Sequence, residues 1–210
     1  MSEYGYIPES PAQSWGSNKG IFTPNDIYDL TRADKFTEYG QLELIQTQTI
    51  TSATLVEFNL TGNYNIYFLT FNDVVLVDTK ELIMRVSTDG GSSFNASTNY
   101  DNASQRGDSG GNFYEYRLPN NTSFQPLSSM GGDTNETHNG YIYMYNFLDS
   151  SKYSCLTYQT MGYDSSGNAE FHFGSATKDS AEYNDAIQLK DSGGNGIQSG
   201  VLSLYAIRFS

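Results

Sequence analysis

The sequence holds a single cysteine, Cys155, and only two histidines, His138 and His172. One cysteine excludes an intramolecular disulfide, and its neighbours Tyr153, Leu156 and Tyr158 predict a buried, inert thiol. The histidines fall in no HxH or HxxxH spacing, so a zinc site lacks donors and no cofactor or metal is expected. Charge is sparse as well. Charged residues are 17% of the chain, and 24 acidic against 11 basic ones leave a net charge of −13. A surface of that sign repels phosphate backbones and argues against a nucleic-acid partner. No apolar run reaches the roughly 20 residues of a membrane span, so no membrane partner is expected. The N-terminal MSEYGYIPESPAQSW lacks the basic start and apolar stretch of a secretory leader, which predicts synthesis in a cytoplasm. The Asn-x-Ser/Thr triplets at Asn59, Asn95, Asn102, Asn121 and Asn135 then read as loop composition.

The sequence is rich in aromatics and turn formers, with 17 Tyr, 12 Phe and 20 Gly, a composition that suits strands and contact surfaces. From residue 41 onward the apolar period is two. Val56, Phe58 and Leu60 alternate with Leu55, Glu57 and Asn59, and Leu82, Met84 and Val86 with Ile83, Arg85 and Ser87. Phe171 and Phe173 flank His172, while Ile187 and Leu189 flank Gln188. Such alternation predicts strands with one buried face, near 41–50, 54–60, 64–71, 81–87, 113–118, 141–148, 153–160, 168–174, 185–190 and 200–209. Turn-rich pieces separate them: Thr88-Asp89-Gly90-Gly91, Asp108-Ser109-Gly110-Gly111, Asp164-Ser165-Ser166-Gly167 and Ser192-Gly193-Gly194-Asn195. The predicted fold is all-β, a jelly-roll-like antiparallel β-sandwich over residues 41–210.

Residues 1–40 read as an N-terminal arm. Pro8, Pro11, Gly16, Gly20 and Pro24 punctuate an irregular stretch carrying Tyr4, Tyr6, Trp15, Ile21 and Phe22. One short helix follows, with Thr23 as N-cap, Pro24 at the first helical position, and Asp26 favourably placed near the N-terminus. Ile27 and Leu30 share its face. The arm's apolar groups pack either on its own domain or on a neighbouring subunit.

Two strands are apolar on both faces. Tyr141, Tyr143, Tyr145 and Phe147 oppose Ile142, Met144 and Leu148, while Val201, Tyr205, Ile207 and Phe209 oppose Leu202, Leu204 and Ala206. A sandwich strand needs one apolar face, so the second is covered by the arm or by another subunit. Self-association is therefore expected through Tyr141, Tyr143, Tyr145, Phe147, Tyr205 and Ile207.

Catalytic patterns are few. Gly107-Asp108-Ser109-Gly110-Gly111 matches a nucleophile elbow and the GDSGG of chymotrypsin-like proteases. Both histidines follow it, however, residues 97–106 are polar, and a strand rather than a helix comes next. It reads as a turn. His138 falls in a polar loop, and both histidines read as chance placements. A carboxylate pair such as Glu115 with Glu170 is the strongest enzymatic alternative, but alternation predicts that both sit on solvated faces. The acidic turns lack the density of a calcium loop. The sequence reads as non-enzymatic.

Several segments carry a resemblance. Asn18-Lys19-Gly20-Ile21-Phe22-Thr23-Pro24-Asn25-Asp26-Ile27-Tyr28-Asp29-Leu30, continuing through Gly40-Gln41-Leu42-Glu43-Leu44-Ile45-Gln46-Thr47-Gln48-Thr49, resembles a stretch of virion structural proteins of marine tailed phages, cyanophages in particular. So do Leu69-Thr70-Phe71-Asn72-Asp73-Val74, Arg85-Val86-Ser87-Thr88-Asp89-Gly90-Gly91-Ser92-Ser93-Phe94, and Ile197-Gln198-Ser199-Gly200-Val201-Leu202-Ser203-Leu204-Tyr205, which look like parts of a jelly-roll module. The resemblance implies a module on the virion exterior, a capsid decoration, knob or tail-attached piece assembled in the host cytoplasm. Homo-oligomers are implied, with trimers favoured, and the partners are other capsid or tail proteins. No active-site residues come with it. The arm would dock through Trp15, Ile21, Phe22, Ile27 and Leu30. The alternative is a tail-fibre or spike tip that binds a host receptor or surface glycan through Asn99-Tyr100-Asp101-Asn102, Asn112, Asn120 and Asn121.

Overall fold

The computed structural model describes residues 13–14, 17–18, 23–33, 42–62, 64–127 and 130–207. It is mostly β, 60% strand against 5% helix. The chain divides into two units, Met1–Gly40 with Phe209–Ser210, and Gln41–Arg208.

In the first unit a two-rung antiparallel ladder joins β1 (Gln13–Ser14) to β2 (Ser17–Asn18), within the stretch read as irregular. The helix α1 (Pro24–Arg32) begins where the residues predict it. The Asp26 amide donates to Thr23 Oγ1 at 3.2 Å, and the Thr23 amide to Asp26 Oδ2 at 2.8 Å. This reciprocal box satisfies two amides that the first turn leaves free. Ile27 is exposed and Leu30 half-buried. Trp15, Ile21 and Phe22 lie outside the described residues.

The second unit holds twelve strands: β3 (Leu42–Ile50), β4 (Val56–Asn59), β5 (Ile66–Leu76), β6 (Leu82–Ser87), β7 (Tyr100–Asp108), β8 (Phe113–Asn121), β9 (Phe124–Leu127), β10 (His138–Tyr145), β11 (Tyr153–Tyr163), β12 (Ala169–Ala181), β13 (Ala186–Asp191) and β14 (Ile197–Ile207). They form a large sheet, β3-β14-β5-β10-β11-β12-β7-β8, and a small one, β4-β13-β6-β9, with every pairing antiparallel. Four pairings are nested: β4 with β13, β5 with β10, β6 with β9, and β7 with β8. The first and third lie in the small sheet, the second and fourth in the large one. Nested antiparallel pairs dealt alternately to two layers are the plan of a jelly roll. To it the chain adds the β11–β12 hairpin between β10 and β7, and the β3–β14 pair beyond β5.

Side chains from both sheets fill one core, among them Phe58, Val86, Ile187 and Phe124 from the small sheet and Tyr67, Leu69, Phe71, Ile142, Leu156 and Leu204 from the large one. Each large apolar group fully buried here contributes about 1.5–3 kcal/mol before ordering costs. Two of the buried tyrosines have their hydroxyls satisfied: Tyr67 donates to Thr61 O and Tyr100 to Asn95 O, both at 3.0 Å.

In this unit two strands were not anticipated, β7 and β9. The inward positions of β7 after Tyr100 are Asn102, Ser104 and Arg106, so its periodicity is hidden behind polar residues. Asn102 is the staple that brings β9 in, donating to Ser123 O at 3.1 Å and accepting from the Gln125 amide at 2.8 Å. The strand expected to run to residue 148 ends at Tyr145, because Asn146 takes φ 61°. Phe147 therefore turns into the core, 1% exposed, and does not extend the outer tyrosine row as expected.

The aspartate turns share one geometry. In Asp89–Ser93, Asp108–Asn112, Asp164–Asn168 and Asp191–Asn195 the carboxylate accepts from the amide four residues on, at 2.9–3.1 Å. In the last three a glycine three residues after the aspartate (Gly111, Gly167, Gly194) holds φ between 75° and 91°.

Candidate functional site

Directly opposed residues of an antiparallel pair share a face, so the registers sort the large sheet into an inner side, against the core, and an outer side. On β3 and β14 the outer side presents Leu42, Leu44, Thr47 and Thr49 opposite Ile207, Tyr205, Ser203 and Val201. Tyr205 stands opposite Phe68 of β5, and Phe68 opposite Tyr143 of β10. Phe68 is the hub of an aromatic cluster, its ring centroid 4.6 Å from Tyr143, 5.7 Å from Tyr141 and 6.2 Å from Tyr205. Tyr145 stacks beside Tyr143 at 6.4 Å. Tyr141, Tyr143, Tyr145, Tyr205 and Ile207 are all half-buried. Five of the six residues expected at a subunit interface thus share one face, and Phe147 leaves it.

The outer positions continue on β11 with Cys155, Thr157, Gln159 and Met161, and on β12 with Thr177, Ser175, Phe173 and Phe171. Cys155 is half-buried on this face, its Sγ 3.6 Å from Tyr153 O, rather than inside as its neighbours suggested. Among these paired outer positions from β3 to β12 none is charged, on a chain of net charge −13. The two edges of the large sheet also differ. β8 carries Glu115, Arg117 and Pro119, which discourage further strand pairing. β3 carries one charge, Glu43, beside exposed Leu42 and Leu44.

On the inner side of β10, β12 and β7 the core turns polar. Glu170, His172, His138 and Arg106 are all buried, which reverses the expectation that Glu170 is solvated, and His138, read as part of a polar loop, opens β10. Glu115, its suggested catalytic partner, is exposed on β8 and paired with Arg117, so the two carboxylates lie on opposite sides of the sheet. Arg106 Nε stands 3.6 Å from Glu170 Oε2, and His138 Nδ1 3.9 Å from Glu170 Oε1. Both separations exceed a hydrogen bond. The Arg106 guanidinium packs on the Tyr114 ring, 4.4 Å from its centroid. Burial therefore outweighs the arginine, and the Glu170 carboxyl is pushed up to about 7. Burial lowers both His138 and His172 to about 4, with Arg106 adding to the effect at His172. Both imidazoles are neutral at pH 7.

The serine of Gly107-Asp108-Ser109-Gly110-Gly111 sits in the β7–β8 turn. Its hydroxyl accepts from the Ala169 amide at 3.1 Å and its amide donates to Ala169 O at 2.8 Å. That locks the turn to the β11–β12 loop. The histidines bond elsewhere: His138 Nε2 lies 2.7 Å from Tyr163 O, and His172 Nε2 lies 2.7 Å from Ser104 Oγ. The Ser104–His172 pair has the distance of a nucleophile and base. Among the described residues no carboxylate bonds to the His172 ring to orient it as a base, and its further polar contact is with the Pro126 backbone. Among those residues no cluster of three His, Cys, Asp or Glu side chains is placed to hold a metal, and no helix is long and apolar enough to cross a membrane.

Of the loop suggested for receptor contact, Tyr100 is buried against Phe124, ring centroids 4.8 Å apart and edge-on, and Asn102 is the buried staple of β9. Asp101, Asn112 and Asn120 remain exposed. Comparison with protein-family models, curated proteins and solved structures gave no match.

Proposed function

We propose that the protein is a non-enzymatic structural component that assembles through the outer face of its large sheet, and that the assembly it joins is a tailed-phage virion. The observation that carries the first part is the uncharged aromatic face centred on Phe68. Two copies of a chain with net charge −13 repel each other over most of their surfaces, and this face lets them meet without opposing carboxylates. Tyrosine, with a flat apolar body and a polar tip, is enriched where a surface is wet in one state and covered in another. The edge of β3, unpaired among the described residues, borders the same face and extends the contact. The virion assignment rests on the resemblance of residues 18–49 and of the three later segments. In that setting the unit at residues 1–40 docks on a capsid or tail protein, Ile27 and Leu30 contributing from α1, and the sandwich forms a homo-oligomer, with a trimer favoured.

Light scattering on the purified chain tests the contact. We expect an oligomer, and Tyr143→Asp, which sets a charge at the centre of the cluster, should return it to 23.3 kDa monomers. A monomeric wild-type chain at high concentration overturns the self-association. Removal of residues 1–40 should leave a folded sandwich that is no longer incorporated into particles, and normal incorporation of the truncated chain overturns the docking role.

A further inference from the structure

The corner of the large sheet made by β12, β7 and β8 is built differently from the tyrosine-rich half. Phe171 and Phe113 stand on the same rung, on either side of Gly107 of β7. A Cβ on Gly107 would lie 2.6 Å from Phe171 Cε1 and 2.9 Å from Phe113 Cε1. The glycine is what lets both rings lie down over the sheet. Their centroids are 6.4 Å apart, and Phe173 follows Phe171 at 6.0 Å with its ring plane only 10° away. All three rings are exposed, Phe113 to 79%.

Next to this platform, Ala103, Gln105, Glu115, Arg117, Phe173 and Ser175 line a depression of about 450 Å³. A second of about 350 Å³ adjoins it through Ala103, Arg117 and Ser175. Both volumes lie in the range of small-molecule sites. The corner thus pairs flat apolar rings with planar hydrogen-bonding groups, an amide, a carboxylate and a guanidinium, beside small side chains that leave room.

We propose that this corner binds a neutral oligosaccharide. A pyranose ring presents a C–H face that stacks on a phenyl ring, and a rim of hydroxyls that both donate and accept, which Gln105, Glu115 and Arg117 can answer in pairs. Charge selects the neutral class. Glu115 and Arg117 cancel across 3.2 Å, Asp101 is the remaining ionised group of the two depressions, and the net charge of −13 opposes any anionic polymer. The proposal does not rest on the self-association reading, because it uses a different part of the sheet and a different occupant.

The test is titration calorimetry of the full chain with maltoheptaose, cellohexaose and mannohexaose, and with hexagalacturonate as the anionic control. At least one neutral hexose oligomer should bind and the galacturonate should not. Phe173→Ala, and Ala103→Phe, which fills the depression from an exposed position, should each weaken binding about tenfold or more. Tyr143→Asp should leave affinity within about twofold even where it dissolves the oligomer. Unchanged thermal midpoints of the Phe173 and Ala103 variants exclude misfolding. The proposal is overturned if no neutral oligomer binds up to about 5 mM, if galacturonate binds more tightly, or if Phe173→Ala leaves affinity unchanged. It is also overturned if Phe173→Ala dissociates an oligomer without affecting any sugar, since the rings would then belong to a contact between copies.

Discussion

The two halves of the large sheet use alternation in opposite senses. In the β3-β14-β5-β10 half the inner positions are Tyr67, Leu69, Phe71, Ile142, Leu202 and Leu204, all within the core, and the outer positions are aromatic as well. In the β12-β7 half the inner positions are Glu170, His172, Ser104 and Arg106, while Phe171, Phe173 and, across Gly107, Phe113 face out. The difference follows from closure. Four strands cannot cover eight. Over the second half the small sheet offers only its edge strand β9, which lies against β7, β11 and β12 and is held by Asn102, and beyond it Tyr114 lies on Arg106. A period of two identifies two faces, and the opposing layer decides which one is inside.

The largest effect that separates the halves should come from exchanging equal volumes of phenyl ring. Phe71→Ala, in the sealed half, is expected to cost about 4 kcal/mol in urea denaturation, through lost transfer energy and a residual cavity. Phe171→Ala, on the outer face of the other half, should stay within about 1 kcal/mol of wild type. Equal losses would mean that the rings of β12 are covered and that the polar interior is not an interior.

Next in size is the buried pair. Arg106→Leu leaves Glu170 without its only close cation among the described residues and should cost about 3 kcal/mol at pH 8. The double variant with Glu170→Gln should recover most of that loss, since the uncompensated charge has gone. A double-mutant cycle giving strict additivity would show that the two groups do not sense each other across 3.6 Å.

Much of the fold was legible in the residues. Thr23, Pro24 and Asp26 announced α1, the aspartate–glycine turns announced the loops, and Tyr141–Tyr145 announced an outer as well as an inner apolar face. The polar half was not legible. His172 between two phenylalanines reads as an outward residue, and in Tyr100-Asp101-Asn102-Ala103-Ser104-Gln105-Arg106 no contrast between faces remains to be seen. Glu170 looked solvated because isolated glutamates usually are. Only the pairing of β12 with β7 brings Arg106 beside it. Phe147 was misplaced by the turn after Tyr145, a break that the left-handed Asn146 makes and that apolar spacing cannot reveal.

Smaller again is the dependence of stability on pH. In the folded chain Glu170 titrates near 7 against an ordinary 4.5, so it holds its proton more tightly when folded. Its contribution is fully present below pH 4.5 and is lost as pH rises through 7. His138 and His172 act in the other sense, lowered to about 4 from 6.5. Their contribution is present above pH 6.5 and is lost as pH falls through 4. Wild-type stability should therefore decline on both sides of a maximum near neutrality or slightly below. Glu170→Gln removes only the alkaline limb. Relative to wild type it should gain about 2.5 kcal/mol between pH 5 and pH 8, read from urea midpoints across that range. A gain independent of pH would show that the carboxyl is not held in its neutral form inside the sheet.

The smallest expected effect lies in the aspartate turns, which both halves share and which should not distinguish them. Gly167 has φ 75° and no atom within 4 Å of where a Cβ would stand, so strain is the whole cost of a side chain there. Gly167→Ala should lose about 1 kcal/mol. Gly167→Asn should lose only a few tenths, because asparagine tolerates the left-handed region. Gly194 holds φ 84° in equally open space, in a loop that crosses between sheets instead of closing a hairpin, and the same two substitutions should reproduce those losses there. If Gly194→Ala proved far costlier than Gly167→Ala, the shared carboxylate-to-amide geometry would not be what sets these loops, and the crossing from β13 to β14 would have to be held by the packing around it.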